Sequence, residues 1–84
     1  WTVYILQCAD GSLYTGITND LERRFAEHQA GKGAKYTKGR GPLRLVYQED
    51  CEDRPQALKR ENKIKALDKA AKLALVASAP SSAP

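Results

Sequence analysis

Residues 4–16 read YILQCADGSLYTG: two short runs of strand-forming residues, each carrying a tyrosine, joined through Ala9-Asp10-Gly11. β-Branched and aromatic runs on either side of a turn signal predict a hairpin. The number of residues in the turn matters, because side chains alternate between the faces of a strand. A two-residue turn on Asp10-Gly11 sets Cys8 against Leu13 and Tyr14 against Gln7, and sends Tyr4 and Tyr14 to opposite faces. A three-residue loop with Gly11 left-handed pairs Cys8 with Ser12, Leu6 with Tyr14 and Tyr4 with Gly16. Both tyrosines then share a face, and Gly16, lacking a side chain, leaves an open pocket beside the Tyr4 ring. The sequence permits both turns.

Working outward, residues 2–8 and 12–18 are the two strands. NDLERRFAEHQAG, residues 19–31, predicts a helix capped by Asn19, with Glu22 placed for a capping box and Gly31 as the stop. LRLVYQE, residues 43–49, is a third strand. Acids precede Pro55, a favoured first-turn residue, and a helical period follows it. A further helical stretch from Asp68 comes after a bend near Leu67 or Asp68. The order β-β-α-β-α-α predicts an α+β fold, a small three-stranded, mostly antiparallel sheet flanked by helices. One domain is expected over residues 1–76 and a disordered, low-complexity tail over residues 77–84.

With 84 residues, 42% of them hydrophobic, the chain suits a single domain. It has no apolar run near the roughly 20 residues of a membrane span and no signal-peptide pattern. Two cysteines, Cys8 and Cys51, are therefore expected to be reduced thiols of a cytoplasmic protein. A single histidine argues against a zinc site.

The net charge of +4 moves the odds toward nucleic acid only slightly. Its distribution says more. No acid occurs from Gln29 to Gln48, where Lys32, Lys35, Lys38, Arg40 and Arg44 all fall. Tyr36 stands among them in the glycine-rich run GKGAKYTKGRGP. Such backbone can approach a phosphate chain closely, and the cations supply attraction. A solvated flexible loop is the equally weighted alternative.

Two polar side chains fall on apolar helix faces. At about 100° per residue, Leu21 and Phe25 define the inward stripe of the first helix. Arg24 and His28 lie along its edge, while Arg23 points to solvent. Arg24 could simply snorkel there. On the later helix Glu61 lies among Ala57, Leu58 and Ile64. A carboxylate near a core needs a partner. That partner is either a salt bridge, with Arg24 the obvious candidate, or a divalent cation. One carboxylate suits Mg²⁺ or Mn²⁺, since Mg²⁺ keeps waters and borrows phosphate oxygens.

TVY (residues 2–4) and YTG (residues 14–16), the ten-residue steps from Tyr4 to Tyr14 and on to Arg24, then His28 and Glu61, together resemble the GIY-YIG nuclease domain. The similarity is to its small stand-alone bacterial members, and it covers about residues 1–75. The chain departs from the pattern in TVY, and in Leu73, where many relatives have asparagine. The resemblance implies divalent-metal-dependent hydrolysis of a nucleic-acid phosphodiester, most readily of DNA. It implies Tyr4 as general base, Tyr14 positioning water or phosphate, Arg24 on the phosphate, His28 assisting and Glu61 holding one Mg²⁺ or Mn²⁺ ion. Gly16, Lys32, Lys35, Tyr36, Lys38 and Arg40 are the expected nucleic-acid contacts. The small size implies little sequence specificity, with selection by single-stranded or branched structure or by a separate targeting protein. The alternative is a non-catalytic nucleic-acid-binding module on the same fold.

Overall fold

The hairpin turns on three residues. Gly11 has φ +86°, a left-handed conformation that glycine adopts without strain. Its amide donates to the Cys8 carbonyl at 2.9 Å, and the Cys8 amide donates to the Ser12 carbonyl at 2.8 Å. Asp10 tightens the turn from the side, accepting from the Ser12 amide at 3.0 Å. The register pairs Leu6 with Tyr14 and Tyr4 with Gly16, so both tyrosines point to one face.

The computed structural model describes residues 1–78. Its elements are β1 (Thr2–Gln7), β2 (Leu13–Thr18), α1 (Leu21–Gln29), β3 (Arg44–Asp50), α2 (Arg54–Lys65) and α3 (Lys69–Ser78). The expected α+β order is present, with strands in the spatial order β2-β1-β3. Both pairings are antiparallel, so the sheet is wholly antiparallel. The β1–β3 register slips between Ile5 and Leu6, which face Tyr47 and Leu45. That leaves Val46 as the extra residue of a bulge.

β1 is central and buried on both faces. Val3 and Ile5 pack with Tyr47, Ala57 and Ile64, joined by Leu75 and Val76. Tyr4 and Leu6 pack the other way with Cys8 and Leu43, against Leu21 and Phe25 of α1. The sheet therefore lies between α1 on one side and α2 with α3 on the other. Each fully buried large side chain contributes about 1.5–3 kcal/mol relative to exposure.

Several boundaries differ from expectation for local reasons. Asp20, not Asn19, caps α1, accepting from the Arg23 amide at 3.2 Å. The Thr18 hydroxyl accepts from the Asp20 amide at 3.0 Å and anchors that residue outside the helical conformation. Glu22 is then one position too early for a capping box, which needs it at the third helical residue. Gly31, at φ +76°, does end the helix. Leu43 precedes β3 and turns inward. The Gln29 side-chain amide donates to its carbonyl at 3.0 Å and accepts from its amide at 3.2 Å. Asp53 caps α2 and Asp68 caps α3, accepting from Gln56 and Ala71 amides, so the bend falls at residues 66–68. α3 runs through Ser78, making residues 77 and 78 helical. The remaining tail, 79–84, lies outside the described residues, among which no helix is long and apolar enough to cross a membrane.

Candidate active site

Three rings meet on the α1 face. Tyr4 and Tyr14 have centroids 6.3 Å apart. His28 stands 5.9 Å from Tyr4, edge-on, and 5.3 Å from Tyr14. Such tilted pairs contribute about 0.5–1.5 kcal/mol each beyond area burial. The Tyr4 hydroxyl lies 2.9 Å from His28 Nε2.

The place beside Gly16 is not an open pocket, as expected from sequence. A Cβ there would stand 2.6 Å from the Tyr4 hydroxyl oxygen and 3.1 Å from Tyr14 Cε2. The Tyr4 phenol itself fills the space over the glycine. Gly16 therefore serves the ring, and offers no direct contact surface for nucleic acid.

Burial disfavours charge on both partners of the Tyr4–His28 bond. It pushes the Tyr4 phenol up to about 12, with nearby Tyr14 adding to the effect and the Arg24 guanidinium opposing it. Burial, helped by the Arg24 charge, holds His28 below the usual histidine value while Glu27 opposes. At neutral pH His28 is a neutral imidazole able to take a proton.

Arg24 turns toward the rings and Arg23 to solvent, with side chains 34% and 75% exposed. Arg24 interacts with both phenols. Its carboxylate partner is Glu27, at 3.2 Å, so of the two alternatives left open for Glu61 the salt bridge to Arg24 does not form. The helix supplies a partner one turn away, closer than any in α2. A groove of about 320 Å³ runs beside Arg24, lined by Thr18, Asp20, Arg23 and Glu27 among others. A larger cavity, about 650 Å³, lies away from the rings between the end of β3 and α2, bordered by Glu49, Cys51 and Arg60.

Glu61 comes from α2, which lies against β2, the strand of Tyr14 and Gly16. Its charge reaches the Tyr4 phenol and helps to raise it. The carboxylate is 13% exposed and, among the described residues, pairs with Lys65 alone, at 3.3 Å. Among the described residues no three His, Cys, Asp or Glu side chains cluster as a metal cage. Glu61 therefore fits an ion that takes its other ligands from water and phosphate, such as Mg²⁺. Leu73 is exposed on α3.

The basic loop divides into an outer and an inner set. Lys32, Lys35 and Lys38 are exposed. Tyr36, 41% exposed, stacks on Tyr14 at 5.9 Å and 29°. Arg40 lies 4.5 Å from the Tyr36 ring centroid and pairs with Asp10 at 2.8 Å. The loop is pinned at both ends: the Ala9 amide donates to the Arg40 carbonyl at 2.9 Å, and Gln29 holds Leu43. The loop thus has a tethered base and a charged exterior.

Sequence reading missed Thr37, Gly33 and Glu27. Thr37 is buried, its hydroxyl 2.8 Å from His28 Nδ1. A Cβ on Gly33 would overlap that same nitrogen. A signal for Thr37 existed. A buried imidazole needs partners on both nitrogens, and the run from Ala30 to Gly41 holds only two hydroxyls, Tyr36 and Thr37.

Comparison with known proteins shows the family of the fold. The family model of the GIY-YIG catalytic domain matches residues 1–74. A UPF0213 protein of Desulfotalea psychrophila is 56% identical over 77 residues, covering 90% of this chain and 70% of its own. One from Natronomonas pharaonis is 55% identical over 75 residues, covering 89% and 88%. The solution structure of a UPF0213 protein from Bacillus halodurans superposes with a TM-score of 0.61 at 46% identity, over 96% of this chain and 88% of that one. Alike in sequence and in shape to these proteins, the chain belongs to the GIY-YIG catalytic-domain family.

Proposed function

We propose that the protein is a divalent-metal-dependent endonuclease that hydrolyses nucleic-acid phosphodiester bonds, with DNA as substrate and little sequence specificity. The observation that carries this reading is the meeting of Tyr4, Tyr14 and His28 beside the Arg24 guanidinium, with the Glu61 charge felt at Tyr4.

Attack on a phosphodiester builds negative charge on the phosphoryl oxygens, which a preorganised cation stabilises. Arg24 offers fixed, forked donors for that charge, and must exchange Glu27 for the phosphate to do so. Tyr4 is a poor base alone, because burial disfavours its phenolate. Its hydrogen bond to His28 supplies the remedy: the imidazole takes the phenolic proton as the phenol oxygen takes one from water. Tyr14 orients water or phosphate next to that oxygen. Glu61 would hold one Mg²⁺ or Mn²⁺ ion, which when bound supplies Lewis-acid stabilisation of the leaving oxygen. Lys32, Lys35, Lys38, Tyr36 and Arg40 on the loop exterior would track the nucleic-acid strand, through charge and stacking.

A nicking assay with Mg²⁺ or Mn²⁺ tests the proposal, comparing wild type with Glu61→Ala and Arg24→Ala. Cleavage abolished by either substitution supports it. Cleavage that survives both rejects this site. A panel of single-stranded, duplex and branched substrates then reads structure selection. The exposed cationic loop alone favours a second reading, a non-catalytic binding module. That module predicts salt-sensitive binding with no cleavage under any metal.

A further inference from the structure

His28 is the only histidine of the chain, and each of its nitrogens faces one oxygen: Tyr4 at Nε2 and Thr37 at Nδ1, at 2.9 and 2.8 Å. Which nitrogen carries the hydrogen decides whether the ring can receive a proton from Tyr4. Thr37 bears on the choice. A hydroxyl has one hydrogen to donate, and the Ala34 carbonyl lies 3.0 Å from this one as an acceptor. With the hydrogen spent there, the oxygen presents a lone pair to Nδ1, which then supplies the hydrogen between them. Nε2 is in that case bare toward the phenol. The opposite assignment needs the Thr37 hydroxyl turned from Ala34, and an acceptor role for Nδ1 toward the Ala34 amide. That amide lies at 3.4 Å, the longest contact of the set. Gly33 lets the loop backbone close over this edge of the ring, since any Cβ there would overlap Nδ1.

We propose that Thr37 is a positioning residue that fixes His28 as its Nδ1–H tautomer, so that Nε2 can accept the phenolic proton of Tyr4. In that step the Tyr4 O–H bond breaks and an Nε2–H bond forms. The imidazolium keeps its Nδ1–H on Thr37, and the phenolate oxygen accepts a proton from the attacking water. The catalytic half of this assignment rests on the nuclease reading above; the tautomer does not. The loop that carries the exposed cations thus also sets the proton acceptor, through one inward hydroxyl. The other ionisable groups facing the ring are Tyr14 from β2 and Arg24 and Glu27 from α1 itself.

Nitrogen-15 NMR of the full chain tests it directly, because a single histidine gives one pair of imidazole resonances. Above the histidine titration, wild type and Thr37→Ser are expected to show a protonated Nδ1 and a bare Nε2. Thr37→Val, close in shape but without the acceptor, is expected to shift toward the Nε2–H form. In nicking assays Thr37→Val should lose about 100-fold in kcat, the lower end of what acid–base catalysis supplies, with KM little changed. Thr37→Ser should restore the rate. A wild-type ring protonated on Nε2, or a Thr37→Val ring that keeps Nδ1–H, overturns the proposal. The expected tautomers in a protein that never cleaves would uphold the assignment of Thr37 and refute the nuclease reading instead.

Discussion

Gly16→Ala is the sharpest test of how the phenol is held. The added methyl would stand 2.6 Å from the Tyr4 hydroxyl oxygen, 2.8 Å from Tyr4 Cζ and 3.1 Å from Tyr14 Cε2. In a loose side chain such contacts would be relieved cheaply. Tyr4 is 1% exposed and bonded to His28, so relief means moving a packed ring. Overpacking of this kind costs about 1–3 kcal/mol. Replacing a strand glycine with alanine returns about 0.5–1 kcal/mol of chain entropy. The net expectation is a loss of up to about 2.5 kcal/mol, or as much as roughly 20 °C in Tm for a domain of this size. The same motion parts the phenol from Nε2, so cleavage should fall about 100-fold or more. Thermal unfolding by circular dichroism and a nicking assay measure the two effects. In a Tyr4→Phe background the nearest contact is gone, and the stability penalty should shrink, a coupling that a double-mutant cycle reads. Gly16→Ala with unchanged Tm and unchanged cleavage would refute the account of this ring.

Stability should fall on both sides of neutrality. His28 has a lower proton affinity folded than unfolded, so below about 6.5 the unfolded chain binds the extra proton. Its contribution is present above that pH and is lost as pH falls toward the folded value. Tyr4 works in the other sense: its contribution is intact below about 10 and is lost as pH rises toward about 12. Urea unfolding across pH checks both, and His28→Gln should flatten the acid side. Lys65→Ala removes the competitor beside Glu61 and should lower the Mg²⁺ or Mn²⁺ concentration for half-maximal cleavage about twofold, the scale of an exposed helical ion pair. Lys38→Ala should leave kcat unchanged and reduce the salt slope of DNA binding by about one, measured by fluorescence anisotropy.

Much of the fold was legible because its signals are local and repeat with a period. Alternation in TVYILQC, the helical stripe of Leu21 and Phe25, and the Asp68 break each report on their own element. Arg24 and His28 could be placed at a core edge by angle alone. What stayed open was set by tertiary context. The turn length at Ala9-Asp10-Gly11 depends on the conformation of Gly11, and both loops suit those residues. Arg24 and Glu61 looked like natural partners from charge, yet each found one on its own helix, in Glu27 and Lys65. The space beside Gly16 was legible as a gap but not its occupant. Thr37 and Gly33 lie in a loop with no period, where only the ring they enclose gives them meaning.

The Gln29 amide that clasps the Leu43 backbone has a consequence for how such a chain can diversify. It welds the end of a helix to the start of a strand, so the span bridged by residues 30–42 keeps its ends while its outward-facing residues vary. Charges on the rim can be exchanged one at a time without disturbing the chemistry beneath. Under the nuclease reading, substrate preference and turnover can accordingly drift apart, the first rewritten along the hoop and the second preserved under it.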